Sequence, residues 1–188
     1  MARPKSEDKR DAIMAAAVRV IAAQGLSAPT AVIAKEAGVA NGSLFNYFPT
    51  KADLLNALYL ELKAEMASVA LDGLPTDSDL RHQALYMWSH WLHWAASYPE
   101  RRRVLAHLGV SADITTESQQ AAHQAMAGVA RLLERSRENG PMRDLPLAFV
   151  VALMNATADA TIDFMIREPA EAVKHCAAGF DAVWRMIA

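Results

Sequence analysis

This chain has a single cysteine, no long apolar run and no excess of basic charge, and each shortage narrows what it can be. One cysteine, Cys176, among 188 residues excludes an internal disulfide framework and suits a reducing compartment. Hydrophobic residues make up 53% of the chain, yet no stretch approaches the roughly 20 uninterrupted apolar residues of a membrane span. The start is charged, and the apolar run Ala15 to Ala23 is broken by Arg19, so no signal peptide is expected. The expected setting is cytoplasmic and soluble, without a membrane.

Chemistry is also thin. The sequence has no glycine-rich phosphate loop and no nucleophile elbow. His90 and His93 are three apart, but no Cys or carboxylate sits at a spacing that would complete a metal site. Glu171 and His175 are four apart, where a di-iron bundle needs three. Neither an enzyme, a metal nor a cofactor is expected.

The net charge of −2 hides an asymmetry. Through Lys51 the basic residues Arg3, Lys5, Lys9, Arg10, Arg19, Lys35 and Lys51 outnumber the acidic Glu7, Asp8, Asp11 and Glu36, so the remainder is acidic. A basic head on an acidic body is the distribution expected when only the head meets phosphate.

Glycine and proline cut the chain into helical pieces, with no β-rich segment, repeat or low-complexity region. Met1 to Lys5 is a basic arm without periodicity. Ser6 to Gln24 reads as a helix with Ile13, Ala17, Val20 and Ile21 inward, ended by Gly25. Lys51 to Leu71 carries Leu54, Leu55, Leu58, Tyr59 and Leu62 on one side, and Asp72 to Asp79 is a linker. Leu80 to Ser97 has Trp88, Trp91 and Leu92 in its apolar band and is stopped by Pro99. Arg101 to Arg103 opens a short helical piece, read as a solvated face or as a DNA or partner contact. Thr115 or Thr116 to Arg137 reads as one longer helix, ended by Asn139-Gly140-Pro141. Leu145 to Arg167 is apolar nearly all round, so its own core has to cover one side and a second subunit the other. Pro169 starts the last helix, which runs to Ile187.

The most informative stretch is Thr30 to Leu55. Thr30 to Ala37 reads as a short helix capped by Thr30, and Gly38 breaks it in a tight turn. Asn41 to Phe48 follows, with Leu44 and Phe48 inward and Asn41, Gly42, Ser43, Asn46 and Tyr47 outward. Pro49 ends it and Thr50 caps the next helix. Two short helices at a steep angle, the second small and polar outside, suit a DNA major groove.

These residues resemble the helix-turn-helix of the TetR family of bacterial transcriptional repressors. Thr30, Ile33, Ala34, Ala37, Gly38, Val39, Gly42, Ser43, Leu44, Tyr47, Phe48, Thr50, Lys51 and Leu54 all fall on the family's pattern. Phe45 departs from it, since the family commonly has Tyr there. The start MARPKSEDKR, Leu58 to Lys63, the Trp88, Trp94 and Pro99 spacing, Thr161 to Ala170 and Gly179 to Trp184 are similar to the RamR-type multidrug-responsive repressors.

The resemblance implies an all-α fold: a three-helix DNA-binding domain over residues 1–50 and a helical ligand-binding and dimerisation domain over 51–188. By side-chain type, Thr30, Ser43, Tyr47 and Lys51 suit phosphate, Asn41 and Asn46 suit base edges, and Gly42 permits close approach. Phe45 lies among them, and Arg3 and Lys5 would reach backbone or minor groove from the arm. A head this small reads few base pairs, so a homodimer on a palindromic operator is expected. In the body, Tyr59, Met66, Trp88, Trp91, Met126, Met154 and Phe164 are either plain core or the lining of a site for flat apolar or cationic compounds. The resemblance implies that Tyr59 and Trp88 stack on such an effector. A regulator without an inducer, and a module that mainly sequesters hydrophobic compounds, stay open as alternatives.

Overall fold

The computed structural model describes the backbone from residue 5 and side chains from residue 7. Arg3 and the side chain of Lys5 therefore lie outside the described residues, as does the expected arm. Among the described residues ten α-helices follow one another: α1 (Lys5–Gln24), α2 (Thr30–Glu36), α3 (Asn41–Tyr47), α4 (Lys51–Leu71), α5 (Leu80–Ser97), α6 (Pro99–Gly109), α7 (Thr116–Ala125), α8 (Ala127–Arg137), α9 (Leu147–Arg167) and α10 (Ala172–Ile187). A single 3-10 turn, Pro169–Glu171, precedes α10, and no strand occurs among the described residues.

The chain divides into two compact units, 1–64 with 99–124 and 65–98 with 125–188. The first holds α1, α2 and α3 together with α6, so the unit that contains the head is larger than its first 50 residues. In it α1 packs on α2 and on α6, and α2 packs on α3. Ile13, Ile21, Ile33, Leu44, Leu54 and Leu58 are sealed from solvent, which is the stripe expected of α1, α2, α3 and the start of α4. Arg103 of α6 donates to the Ala22 carbonyl near the C-terminus of α1. One of the three adjacent arginines thus serves the fold.

The second unit is built on α5, which packs on α8, α9 and α10, while α9 and α10 pack on each other. Trp88 of α5 is its largest sealed side chain, and its indole donates to the Cys176 carbonyl of α10 at 3.0 Å. α9 is long and apolar enough to cross a membrane by length and composition alone. Asn155, Asp159 and Asp163 interrupt its apolar run, and only 33% of its most apolar window is buried within this chain.

Local signals account for most boundaries. Gly38 takes φ +69°, its N–H donates to Lys35 and the Val39 N–H donates to Ala34, the paired bonds of a Schellman stop. Thr50 and Asp53 exchange hydrogen bonds as a capping box, with Asp in place of the usual Glu. Thr30 behaves otherwise: Pro29 occupies the N-cap of α2, and since its ring carries no acceptor no side chain caps the helix. The expected single helix from 116 to 137 breaks at Met126, where ψ is near zero. Its two pieces belong to different units, and Gly128, a weak helix former, sits where a Cβ would meet Leu71.

Candidate nucleic-acid interface and helical body

α3 is seven residues long and buries one side chain, Leu44. Phe48 is its C-cap and is buried beneath it. Everything else on α3 is at least partly open. Asn41, Gly42 and Asn46 are exposed, Ser43 and Tyr47 are half-buried, and Phe45 is 38% exposed. Thr30, at the start of α2, and Lys51, at the start of α4, are half-buried. Neither α2 nor α3 has a side-chain cap, so their first N–H groups are without an internal side-chain acceptor.

Gly42 is the informative position. Its backbone is ordinary helix, and nothing lies within 4 Å of where a Cβ would stand. The fold itself therefore makes no demand for glycine there.

The basic residues of the head divide by use. Arg10 pairs with Glu61 at 3.2 Å and lies over the Phe48 ring, and Arg19 pairs with Glu36 at 2.8 Å. Both charges are spent inside the first unit. Lys51 makes no ion pair among the described residues, which leaves its ammonium beside α3 available to an outside anion. Sequence reasoning had no means of separating these groups, because Glu61 is 51 residues from its partner.

Of the residues expected to line a body site, the second unit brings Trp88, Trp91 and Met154 together and leaves Phe164 on its surface. Trp88 is 1% exposed and borders a void of about 10 Å³, shared with Met154, Met87, Phe180, Val183 and Ile187. That volume holds about one water and no effector. Trp91 is part-buried and packs against Ala70, Met87 and Leu132, with its ring edge-on to Trp88. Met126 stands at the break between α7 and α8, and Met66 is half-buried on α4. Phe164 is 43% exposed on α9, beside Arg167 and His175. Tyr59 belongs to the first unit and is 8% exposed, with Lys63 over its ring. Among the described residues no cluster of His, Cys, Asp and Glu could hold a metal ion.

Exposed apolar side chains gather on the last two helices. Phe149, Phe164 and Ile166 on α9 and Val173 on α10, the last 75% exposed, are joined by the exposed Ala148, Ala152, Ala156 and Ala160.

Residues 13–58 match the family of bacterial regulatory proteins described as tetR family. Among solved structures, a putative TetR family transcription regulator from Shewanella sp. PV-4 is 27% identical, with a TM-score of 0.82 over 94% of this chain and 96% of that one. A TetR family transcription regulator from Marinobacter aquaeolei VT8 superposes with a TM-score of 0.86 at 22% identity, over 99% and 98% of the two chains. The transcriptional regulator FadR from Bacillus subtilis, in complex with stearoyl-CoA, has a TM-score of 0.71 at 20% identity, covering 95% of this chain and all of that one (100%). At such identities the last two establish the shared fold alone.

Proposed function

We propose that this chain is a transcriptional regulator of the TetR family and, within it, a one-component repressor. In this reading it binds a palindromic operator as a homodimer and is released by a small apolar compound. The observation that carries DNA reading is the outer face of α3. It is small and polar, it holds a glycine that the fold does not need, and it is flanked by Lys51, which has no ion-pair partner among the described residues. Asn41 and Asn46 then face base edges, adenine being the bidentate match for an amide. Thr30, Ser43, Tyr47 and Lys51 hold phosphates, Phe45 lies against the groove wall, and Gly42 allows the backbone to come close.

Dimerisation is supported by the apolar surface on α9 and α10. A helix pair with this much exposed apolar area is best covered by its own copy, which makes a four-helix interface. Two-fold pairing also supplies the second head that a specific site requires.

Induction would run through α4, which carries Lys51 at one end and Tyr59 two turns on. An effector that prefers the geometry misplacing the two heads weakens operator binding, and the operator weakens effector binding equally, typically by about 1–3 kcal/mol. One observation favours a narrower reading for the second unit. Trp88 is sealed, hydrogen-bonded to α10 and beside a void far too small for a ligand, so its indole acts as core unless the helices part.

The test is selection of bound duplexes from a random pool, followed by affinity measurement at several salt concentrations. A two-fold-symmetric sequence should emerge, with affinity falling steeply as salt rises. Asn46→Ala should cost about 1–3 kcal/mol at one base pair of each half-site. A pool that yields no preferred sequence would sink the proposal.

A further inference from the structure

We propose that Tyr59 and Lys63 form an anion-recognising pair, which takes the acidic head group of an apolar effector. This rests on the ligand-responsive reading above and adds the sign of the ligand's charge.

The two residues are one turn apart on α4, so they share a face of that helix. Tyr59 is 8% exposed, and a phenol buried to that degree ordinarily finds an acceptor for its O–H. Here it has none among the described residues. No sealed side-chain nitrogen or oxygen among them lacks a partner, so the Tyr59 oxygen is not fully closed off from solvent. Lys63 repeats the pattern. It is half-buried, its Nζ lies 5.8 Å from the centroid of the Tyr59 ring, and no carboxylate pairs with it. A partly buried ammonium without a counter-ion is an unfavourable arrangement that a fold retains poorly for packing alone. Burial accordingly pushes the Lys63 ammonium below its ordinary range and the Tyr59 phenol above its own.

The neighbouring carboxylates on α4 are engaged elsewhere. Glu61 pairs with Arg10, and Glu65 accepts the Trp94 indole N–H. What remains at Tyr59 and Lys63 among the described residues is two unused donors, one charged, with no side-chain acceptor but the phenol oxygen itself. A carboxylate, sulfonate or phosphate satisfies both, whereas a cation would meet a like charge. Leu58 and Leu62, buried on the same helix, are consistent with an apolar body behind the acidic head.

The experiment uses the full chain and two fluorescent probes with one ring system. These are 8-anilinonaphthalene-1-sulfonate, an anion, and N-phenyl-1-naphthylamine, its neutral counterpart. The protein should bind the sulfonate at least about tenfold more tightly, as expected for a charge-assisted hydrogen bond. Lys63→Met should remove that preference without weakening the neutral probe, Lys63→Arg should keep it, and Tyr59→Phe should reduce it by about threefold. Should Lys63→Met fold poorly, Lys63→Gln gives the same comparison. A preference that survives loss of the ammonium, or a wild-type protein that shows none, overturns the pair's role. Operator release, read separately by DNA anisotropy, keeps the two ideas apart. Release by the neutral probe alone retains the inducible repressor and discards the anion pair. Binding of the sulfonate that depends on Lys63 but leaves DNA bound keeps the pair as a site and discards induction through it.

Discussion

Gly42 in α3 and Gly179 in α10 each place a residue poorly suited to a helix inside one, and their surroundings are opposite. At Gly42 the space where a side chain would begin is empty. At Gly179 it is filled by the hydroxyl and methyl of Thr161 on α9, so the α10 backbone rests there directly on that side chain. Thr161 itself is buried and donates to the Thr157 carbonyl one turn back, which keeps its hydroxyl satisfied within the contact. Packing demands one glycine and makes no demand for the other. The contrast separates a glycine that packing requires from one that it does not, using a criterion that exposure alone does not supply.

Gly140 extends the packing side of this comparison and should give the largest effect. A Cβ there would collide with the Ile187 carbonyl and crowd Ala188, and backbone cannot step aside as a flexible side chain can. Gly140→Ala should therefore lower unfolding free energy towards the upper end of about 1–3 kcal/mol, the usual cost of overpacking. Gly179→Ala should follow with a smaller loss, about 1–2 kcal/mol, because Thr161 has some freedom to turn. Denaturant unfolding monitored through the tryptophans measures both. If either variant is as stable as the parent, the close contact of α10 described here is wrong.

Gly42→Ala sharpens the other side. Its stability should be unchanged or raised by up to about 1 kcal/mol, since alanine is the better helix residue and meets nothing. Its operator affinity should fall by about tenfold, equivalent to about 1.4 kcal/mol, when the added methyl keeps the backbone off the duplex. A loss of both properties together would return Gly42 to the packing class. Phe45→Ala gives the smallest change in stability, within about 0.5 kcal/mol for so open a position, while operator binding weakens. An unaltered affinity would show that the exposed ring does not touch DNA.

Local chemistry made the head readable. Gly38 ends α2 at a positive φ, Thr50 and Asp53 close a capping box, and Pro99 opens α6 straight after α5 ends, each through atoms only a few residues apart. The alternation of Leu44 and Phe48 inward with Asn41 and Asn46 outward needs no knowledge of the rest of the fold. Readings that depended on distant partners fared differently. The helix drawn through Met126 is two helices, since the break answers to a change of unit and to the fit of Gly128 near Leu71. Trp88, Met154 and Phe164 looked alike as large apolar residues at helical spacing. The first two share one tight core and the third stands on the surface. Arg10 and Lys51 looked alike as basic residues of the head, and only the first is neutralised within it.

Hydrophobic period, caps and turn residues act over one or two turns, so the helices other than the pair around Met126, most helix ends and the small polar face of α3 are legible along the chain. Which side chains are spent on the fold and which are left over is settled by tertiary contacts. Burial and pairing are set by contacts such as Arg10 with Glu61, Trp88 with Cys176 and Gly179 with Thr161, and the unmet donors of Tyr59 and Lys63 become visible once every such contact is placed. A hydrogen bond or a steric contact acts over a few ångströms in space, whatever the separation along the chain, and no local pattern encodes it.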